Sequence, residues 1–471
     1  MKKVLRLISF IIMLALTLSV CIISTGAAAV TISNGTAWTD TTGGSIQAHG
    51  GGILKVGTTY YWYGEDKIHN SALFKHICCY SSTDLKNWTW KSYVLNTTSA
   101  AELNSCKIER PKVIYNSTTK KYVMWMHYEN ASDYTLSRVA VATASSPAGP
   151  FTYLGSFQPN GGSHDMTVFQ DTDGSAYLIT TSNSNTNTRL FKLSSDYTTI
   201  ASEMNMIYSG QNREAPALAK KGSYYYILTS GCSGWYTNQQ MYSYATSLNG
   251  PWSAPAPIGN TSGFNSQTAF ILPIQGTTTS YMYMGDRWNS SALGSSRYVW
   301  LLLILNGTSA SLEYYDNISI DASAGTISGV TNGSLLSQGK TASAQTSVSG
   351  NAAGNANDGN YQTKWAATGV TWPHWWMVDL GQNRTVKNVQ ISWFMYKGSE
   401  GYYRYKIETS TDGKSFTTAL DRTGNTTYGF TSDSLSVTAR YVRINMVDAV
   451  LWNNPSNWYT PQLFEVKVYG S

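Results

Sequence analysis

Short runs of Tyr, Val, Ile and Thr alternate along this chain with clusters of Gly, Asn, Asp and Ser. Apolar and aromatic runs bounded by turn residues predict β-strands joined by tight turns. Long stretches rich in Ala, Glu, Lys and Leu, which would predict helices, are hard to find. The chain has 471 residues, and a single core rarely grows past about 250–300 residues. We therefore predict an all-β protein of two domains.

A weak repeat runs through the first 300 residues. Each copy has a polar residue, an apolar strand, a turn and an aromatic-rich strand, and successive copies begin 49 to 62 residues apart. This spacing leaves room for a four-stranded blade, so five copies predict a five-bladed β-propeller over residues 30–330. The polar residues that begin the copies, called the heads below, are Gln47, Glu109, Asp165, Glu214 and Gln267.

The heads are expected to meet at one point, because the first strand of each blade lines the axis of a propeller. Three of them are carboxylates, Glu109, Asp165 and Glu214. Burying several carboxylates around one cavity costs free energy unless they are paired, protonated or used in chemistry. A single Asp would more simply cap a turn, but acids at equivalent positions of successive repeats favour a functional site.

Composition excludes some partners. Charged residues make up 13% of the chain, its formal net charge is +6, and no run of Lys or Arg stands out. Three of the positive charges (Lys2, Lys3 and Arg6) lie in the leader described next. Nucleic acid and anionic membrane are therefore not expected as partners.

Residues 1–29 have the pattern of a signal peptide. A basic start precedes an apolar run from residue 7 to 23, and Ala27 to Ala29 supply small residues for cleavage. A lipoprotein would need a small residue before Cys21, where this chain has Val20. We predict a secreted, extracellular protein with no membrane attachment after cleavage.

Four cysteines follow the leader. Export permits disulfides, and a bridge to Cys106 from Cys78 or Cys79 is a candidate, with Cys232 the fourth. Their spacing matches no zinc pattern.

Eight segments around the heads carry a family resemblance. In order they are QAHGGG (47–52), ERPKV (109–113), SHDMTVF (163–169), REAPAL (213–218), YILTSGCSGW (226–235), QTAF (267–270), MGDRW (284–288) and SRYVW (296–300). Over residues 35–305 the chain resembles glycoside hydrolase family 43, and more narrowly its galactan exo-1,3-β-galactosidase branch.

The resemblance implies an inverting glycosidase with no cofactor for catalysis. In such an enzyme one carboxylic acid protonates the leaving oxygen while a second group activates water on the opposite face of the sugar. Glu214 matches the general acid of the family. Glu109 matches the residue that orients this acid and tunes its pKa; alternatively, it only pairs with Arg110.

The base departs from the usual family pattern. Typical members have an Asp at the first head, whereas this chain has Gln47 followed by Ala48 and His49. In the galactosidase branch, a Gln matching Gln267 is thought to hold or activate the water. Asp165 and then Glu65 are the alternatives, although both resemble ligands of sugar hydroxyls.

Further candidates for substrate binding come from the same segments. Aromatic residues offer apolar faces for a pyranose ring, and His49 lies beside three glycines that could let the backbone approach the sugar closely. Aromatic rings are also common in a blade core, and a histidine beside glycines is also found at tight bends. The candidates are Gln47, His49, Glu65, Asp165, Tyr128, Trp235 and Trp288. Arg138, Arg213 and Arg287 are more simply structural.

A second domain follows a stretch rich in Ser, Thr, Gly and Ala at residues 307–345, which suits a last strand and a linker. The segments DGNYQTKW (358–365), WWMVDLG (375–381) and VKNVQISW (386–393) resemble the coagulation factor 5/8 type C, or discoidin, domain. The resemblance covers residues 338–470 and implies a jelly-roll β-sandwich over 338–471. In secreted hydrolases such domains act as carbohydrate-binding modules of family 32, often for galactose-type sugars.

Two kinds of site are implied in this domain. Asp358, Asn360, Thr363 and Glu465 match a structural calcium position, since calcium takes several oxygen ligands; the alternative is an Asp-Gly turn without metal. Sugar-contacting side chains are expected on its loops, where the candidates are Trp372, His374, Tyr396, Arg404, Tyr428, Trp452 and Trp458.

We therefore expect a monomeric exo-enzyme that removes galactose from β-1,3-galactan, such as the backbone of plant arabinogalactan. One alternative keeps the fold and changes the sugar, giving an α-L-arabinofuranosidase or β-xylosidase; the absent Asp at the first head opposes it. A second is a propeller lectin without catalysis, which the presence of both Glu109 and Glu214 opposes. Adhesion through the discoidin domain has the least support.

Overall fold

The computed structural model describes residues 28–395, 401–451 and 460–471. Within these ranges the chain is all-β, as predicted, apart from short 3-10 helices at Ala101–Leu103, Leu293–Ser295 and Ala353–Ala356. Among the described residues, no helix is long and apolar enough to cross a membrane. The predicted leader falls almost entirely outside these ranges.

The N-terminal domain is a β-propeller built from antiparallel sheets. Apolar and aromatic runs form its strands because they bury both faces between neighbouring sheets, as in the cluster of Trp38, Trp62 and Trp300. Its strands are β1 (Val30–Ser33), β2 (His49–Val56), β3 (Thr59–Glu65), β4 (His76–Ser82), β5 (Thr89–Asn96), β6 (Cys106–Asn116), β7 (Lys121–Asn130), β8 (Arg138–Ala144), β9 (Thr152–Phe157), β10 (Met166–Gln170), β11 (Ala176–Ser182), β12 (Asn187–Leu193), β13 (Ile200–Tyr208), β14 (Arg213–Lys221), β15 (Tyr224–Gly231), β16 (Gln240–Ala245), β17 (Ala256–Ile258), β18 (Gln267–Gln275), β19 (Thr279–Arg287), β20 (Arg297–Asn306), β21 (Ser309–Leu312), β22 (Asn317–Asp321) and β23 (Thr326–Val330).

The predicted five-bladed architecture is wrong, because the described part of this domain contains six sheets. Strands β2–β5, β6–β9, β10–β13, β14–β17 and β18–β21 form four-stranded sheets, and a sixth, three-stranded sheet has the order β1-β22-β23. The repeat pattern misses this sheet because its strands have no polar head and no aromatic-rich partner. Residues 307–345, expected as one strand and a linker, instead contain β21 to β23, β24 (Ser334–Leu335) and β25 (Ala342–Ala344).

The inner strands β2, β6, β10, β14 and β18 lie side by side around the axis, and β18 also contacts β2, which closes the ring. The sixth sheet packs against β19 and β20. The heads Glu109, Asp165, Glu214 and Gln267 therefore lie at or near the starts of neighbouring inner strands, at one end of the domain.

The C-terminal domain is a β-sandwich. Its core contains the fully buried Trp365, Trp376 and Trp393. Strand β27 pairs with β25 near its start and with β31 near its end, and both β27 and β30 bend at register shifts, so each serves more than one part of the sandwich. After β24 its strands are β25 (Ala342–Ala344), β26 (Trp365–Ala366), β27 (His374–Trp393), β28 (Gly401–Ser410), β29 (Thr417–Arg422), β30 (Phe430–Leu451) and β31 (Gln462–Gly470).

Candidate active site

A cavity of about 450 Å³ lies where the inner strands begin. Four of the five heads line it, which are Glu109, Asp165, Glu214 and Gln267. The other lining residues are Glu65, Arg110, His127, Tyr134, His164, Ser184, Asn185, Gly234, Trp235 and Trp288. The expected convergence of polar heads is therefore present in the structure.

A backbone irregularity turns the heads toward the axis. The strand register shifts between Glu109 and Lys112 in β6 and between Glu214 and Ala217 in β14. Arg110 (φ 53°) and Ala215 (φ 55°), which follow these two heads, have left-handed backbone angles. Residues other than glycine adopt these backbone angles at a cost in free energy, and such strain is commonly found at functional sites.

The same irregularity creates hydrogen bonds between neighbouring sheets. The amide of Arg110 donates to Glu65 Oε1 at 2.8 Å, and the amide of Ala215 donates to Asp165 Oδ2 at 3.0 Å. In β2 the amide of Gly50 (φ 58°) donates in the same way to Asp286 Oδ2 at 2.8 Å. Each bulge therefore fixes a carboxylate of the adjacent sheet.

Ionisation of the Glu214 carboxyl is disfavoured in the cavity. Burial is the main cause that raises its pKa to about 8, and the negative charge of Asp165 adds to it more than that of Glu109 does. The positive charge of Arg110 acts in the opposite direction. The carboxyl is therefore protonated at neutral pH. The thiol of Cys232 lies near it, and its pKa is raised to about 12, mainly by burial.

The side-chain amide of Gln267 makes four hydrogen bonds. Its Nε2 donates to Glu214 Oε1 at 2.9 Å and to Ser230 Oγ at 3.1 Å. Its Oε1 accepts from Arg110 at 2.9 Å and from Trp288 Nε1 at 3.0 Å. An amide has two donor hydrogens and two acceptor lone pairs, so this side chain is fully bonded.

Two buried cations pair with Asp165 and Glu65. Arg110 Nε lies 2.8 Å from Asp165 Oδ1, and its guanidinium also donates to the carbonyl of Thr268. Lys67 Nζ lies 2.7 Å from Glu65 Oε2. Burial raises the pKa of the Glu65 carboxyl, and Lys67 acts against this rise.

Glu109 has a different environment from Glu214. Its Oε1 accepts from the Tyr134 hydroxyl at 2.8 Å, and its Oε2 lies 3.2 Å from His127 Nδ1. These contacts outweigh burial and lower the pKa of Glu109 to about 2. Glu109 is thus an ionised partner of His127, and not of Arg110.

His127 bridges two acids. Its Nε2 lies 3.1 Å from Glu129 Oε1, which also accepts from the amide of Ser137. Its pKa is raised to about 9 against the effect of burial, because Glu109 and Glu129 stabilise the cation. His164 is a neighbour of this pair, and burial together with the His127 charge lowers its pKa.

Aromatic rings form one wall. Trp235 and Trp288 meet edge to face, with ring centroids 5.2 Å apart, and both line the cavity. Tyr128 does not line it; this ring is buried, and its hydroxyl donates to the carbonyl of Glu102.

Gln47 and His49 lie behind the wall and are absent from the cavity lining. His49 Nδ1 lies 3.0 Å from Asp286 Oδ1, and its buried ring stacks on Tyr298. The Gln47 side chain donates to the carbonyl of Gly294 and accepts from the amide of Lys67. Their observed contacts are structural.

Besides Gly234, six cavity residues escaped the sequence analysis as members of the site: Arg110, His127, Tyr134, His164, Ser184 and Asn185. Two of these could have been found, because Arg110 and His164 directly adjoin heads. His127 pairs with Glu109 across the β6–β7 ladder, which a hairpin register would have revealed. The other three come from loops or strand ends whose approach depends on the complete propeller.

Comparison with known proteins identifies the family. Residues 48–267 match glycosyl hydrolases family 43. The solved structure of an exo-β-1,3-galactanase from Clostridium thermocellum is 34% identical, covering 86% of this chain and 100% of that chain, with a TM-score of 0.64. The chain belongs to glycosyl hydrolase family 43. No match is found among curated proteins.

Further solved structures resemble this family 43 enzyme over even more of its length. An exo-β-1,3-galactanase from Phanerochaete chrysosporium with galactose is 33% identical, covering 93% of this chain and 100% of that chain, with a TM-score of 0.66. A variant of that enzyme with β-1,3-galactotriose has the same identity and coverage and a TM-score of 0.67. The chain is a glycoside hydrolase.

The second domain of this family 43 enzyme also matches a known type. Residues 355–444 match a NedA-like, galactose-binding domain of the factor 5/8 type C kind. Of the expected loop residues, His374 is buried and contacts Thr346 and the carbonyl of Thr371, and Arg404 pairs with Asp448. Tyr428 contacts the propeller, as described below. Tyr396, Trp452 and Trp458 lie outside the described residues.

The predicted calcium ligands lie together in the family 43 enzyme. Thr363 Oγ1 donates to Asp358 Oδ2 at 2.8 Å, and the amide of Gly359 donates to Glu465 Oε2 at 3.2 Å. Glu465 Oε1 is buried without a hydrogen-bond partner, and burial raises the pKa of this carboxyl to about 8. The amide of Asn360 donates to Asp358. A buried carboxylate oxygen without a partner fits a cation.

Elsewhere in the described part of the family 43 enzyme, His127, Glu129 and His164 offer ligand atoms within 4.8 Å of one another. Both nitrogens of His127 already face carboxylates, so ion pairing accounts for this cluster. All four cysteines of the described residues are free, including Cys78, Cys79 and Cys106, so the candidate bridge to Cys106 is not formed.

Proposed function

We propose that this chain is a secreted, exo-acting and inverting hydrolase that releases galactose from the non-reducing end of β-1,3-galactan. The observation that carries the proposal is the contrast between two carboxyls of one cavity. Glu214 has its pKa raised to about 8, whereas Glu109 has its pKa lowered to about 2. The contrast singles out Glu214 as the carboxyl that keeps its proton for use as a general acid, while Glu109 stays ionised beside it.

Glu214 is the general acid of this proposal. A catalytic acid must hold its proton at working pH and lose it in the transition state. Burial and the nearby charge of Asp165 supply the first property, and the bond from Gln267 Nε2 stabilises the carboxylate that forms after proton transfer. The geometry therefore supports both halves of the acid's task.

Asp165 is the main residue that tunes this acid. It exerts a larger charge effect on Glu214 than Glu109 does, and it accepts from the amide of Ala215, the residue next to the acid. Glu109 remains a second, weaker influence. Its bonds to Tyr134 and His127 also leave it ionised, which suits a ligand for sugar hydroxyls.

For the attacking water we keep Gln267, Asp165 and Glu65 as candidates and propose a limited role for Gln267. Both lone pairs of its oxygen are already engaged by Arg110 and Trp288. A water can reach this oxygen only by replacing one of these donors. Gln267 therefore orients groups, and does not itself remove a proton.

The substrate assignment rests on the wall and on the relatives. Trp235 and Trp288 offer an apolar surface that suits the carbon face of a pyranose ring. Solved relatives are described as exo-β-1,3-galactanases, with galactose or β-1,3-galactotriose present in two of them. We propose plant-type β-1,3-galactan, as in arabinogalactan, as the substrate of a monomeric enzyme.

For the sandwich we propose a carbohydrate-binding role of the family 32 type with a structural calcium ion. The match to a galactose-binding domain supports the sugar class. Asp358, Asn360, Thr363 and Glu465 would hold the ion, with Glu465 supplying the buried oxygen that has no other partner.

The test is release of sugar by the mature chain. β-1,3-Galactobiose and β-1,3-galactan are incubated with wild type and Glu214→Gln, and products are followed by chromatography and by NMR of the anomeric proton. We expect α-galactose as the first product of the wild type only. First formation of β-galactose would contradict inversion. Binding without release on galactan, arabinan and xylan substrates would favour the lectin alternative.

A further inference from the structure

Two loops of the propeller connect the cavity wall to the sandwich. The first, residues 232–239, follows β15 and carries Trp235. The second, residues 259–266, precedes β18 and leads directly into Gln267. We call these the wall loops. Both contact the sandwich at the chain segment 428–430, where β30 begins.

The second wall loop is buried against the sandwich. Phe264 is fully buried, and its ring meets Phe430 and Tyr361 edge to face, at centroid distances of 5.3 and 5.6 Å. Asn265 Nδ2 donates to the carbonyl of Phe430 at 2.9 Å. Asn265 is only two residues before Gln267, so this bond fixes the approach to the active-site amide.

Gly429 shows how closely the two domains meet. A Cβ atom added at this position would lie 2.6 Å from Ser262 Cβ, and the residue has a φ of +68°. Both facts require glycine there. The backbone of the 428–430 segment is therefore seated directly on the second wall loop.

The first wall loop has its own contact. Tyr236, next to Trp235, meets Tyr428 edge to face with centroids 5.8 Å apart. Within the loop, Asn238 bonds both the amide and the carbonyl of Gly231 at 2.7 Å. Because the loop is braced in this way, a contact at Tyr236 restrains the position of Trp235.

Arg287 links the second wall loop to Trp288, the other aromatic residue of the cavity wall. Its guanidinium donates to the carbonyls of Asn265 and Phe264, at 3.1 and 2.8 Å. The next residue, Trp288, donates to Gln267 Oε1. The second wall loop thus supports Trp288 as well as Gln267.

We propose that the sandwich domain is a structural part of the active site, in which the 428–430 segment positions Gln267 and Trp235. Phe430, Gly429 and Tyr428 are positioning residues, since they act through the wall loops. Catalysis by the propeller therefore depends on its contact with the second domain. This inference rests on the proposed roles of Glu214 and Gln267.

The decisive readout is the pH profile. Loosening Gln267 weakens its bond to Glu214 Oε1, and loss of a donor to a carboxylate raises its pKa. The charged and titratable groups that face Glu214 are Asp165, Glu109, Arg110, Arg213 and Cys232. All belong to the propeller, so a substitution in the interface removes none of them.

The experiment uses full-length variants with β-1,3-galactobiose. Asn265→Ala removes the bond to Phe430, and Gly429→Ala pushes the segment away from Ser262. We expect kcat to fall by about five-fold or more, with the alkaline limb moved to higher pH. Ser432→Ala is the matched control, because it removes another interdomain bond, to Asp316 at 2.9 Å, and is expected to keep the wild-type profile.

Folded variants with wild-type kcat and an unmoved limb would overturn the inference. If Gly429→Ala does not fold, Tyr428→Ala replaces it, since it truncates only a half-buried side chain. Should the wild type release no galactose, the proposed function fails separately. The same variants are then compared for galactose binding by tryptophan fluorescence, where weaker binding supports the inference and unchanged binding contradicts it.

Discussion

The buried Arg110 forms an ion pair with the partly buried Asp165, with Nε and Oδ1 separated by 2.8 Å. The pair influences Glu214 in two opposite ways, since Asp165 raises the pKa of this carboxyl and Arg110 lowers it. Burial is the larger cause of the raised pKa, and the balance between these two charges adjusts the pH at which the proposed acid loses its proton.

Asp165→Asn is therefore expected to lower the pKa of Glu214. The substitution removes a negative neighbour and leaves Arg110 without its partner, and both changes favour the ionised form. With an acid of pKa about 8, wild-type kcat/KM should fall as pH rises through this value. In the variant the fall should begin about one pH unit lower. If the alkaline limb of kcat/KM against pH is unchanged, Asp165 does not raise the pKa of Glu214 as proposed.

Glu214→Gln is expected to slow substrates whose leaving group needs a proton far more than substrates whose leaving group does not. Removal of a general acid costs about 10²–10⁴-fold when the leaving oxygen needs a proton. A dinitrophenyl β-galactoside, whose leaving group departs without one, should be cleaved at a rate much closer to wild type. Initial rates on this substrate and on galactobiose make the comparison. Equal losses on both would assign Glu214 another role.

Trp288→Phe tests the bond from the indole to Gln267. The phenyl ring keeps most of the apolar wall but has no donor for Gln267 Oε1, which leaves a buried acceptor with one partner fewer. A bond of this kind is worth about 1–2 kcal/mol, so we expect kcat to fall by roughly five- to thirty-fold with KM changed less.

Trp235→Phe provides the comparison, because it shrinks the same wall without removing the bond to Gln267. We expect it to act mainly on KM. The prediction for Trp288 fails if both variants show the same pattern in steady-state kinetics.

Glu465 is expected to make stability depend on pH and, through the proposed ion, on calcium. Its pKa is about 8 in the folded chain against an ordinary value of 4.5. Stability from this group is thus fully present below pH 4.5 and is lost as pH rises toward 8, by up to about 1.4 kcal/mol per unit. In EDTA the unfolding midpoint should fall over this range, and calcium should restore it, because the ion pairs with the carboxylate.

Glu465→Gln should abolish both the pH slope and the calcium effect. Asp421→Asn, at an exposed acid of the same domain, should leave both in place. Calorimetric unfolding with calcium or EDTA at pH 5 to 8 measures these effects. A calcium shift that survives in Glu465→Gln would place the ion elsewhere.

The repeated sequence pattern allowed a large part of the site to be predicted. The heads Glu109, Asp165 and Glu214 occur at equivalent points of successive copies, and an inner strand can bring such residues only to the axis. Gln267 followed from the same argument. His49 and Gln47 did not reach the cavity, because Asp286 and Gly294 hold them in the layer behind it.

The remaining features depend on contacts that no local pattern encodes. Whether Glu109 pairs with Arg110 or with His127 is decided by the left-handed backbone of Arg110, which turns its side chain toward Asp165. The sixth sheet was missed for a related reason, since β1 and β22 find each other across almost the whole propeller. Tyr134 and Ser184 enter the site from loops whose course depends on tertiary packing.

The pairing of Val30 with Ile320 in that sixth sheet has a consequence for synthesis. Strand β1 must wait for a partner made about 290 residues later, so this sheet cannot form while the domain is still emerging. Closure of such a distant contact is slow. The earlier sheets can form one by one, but the cavity acquires its last supports only when the domain is complete.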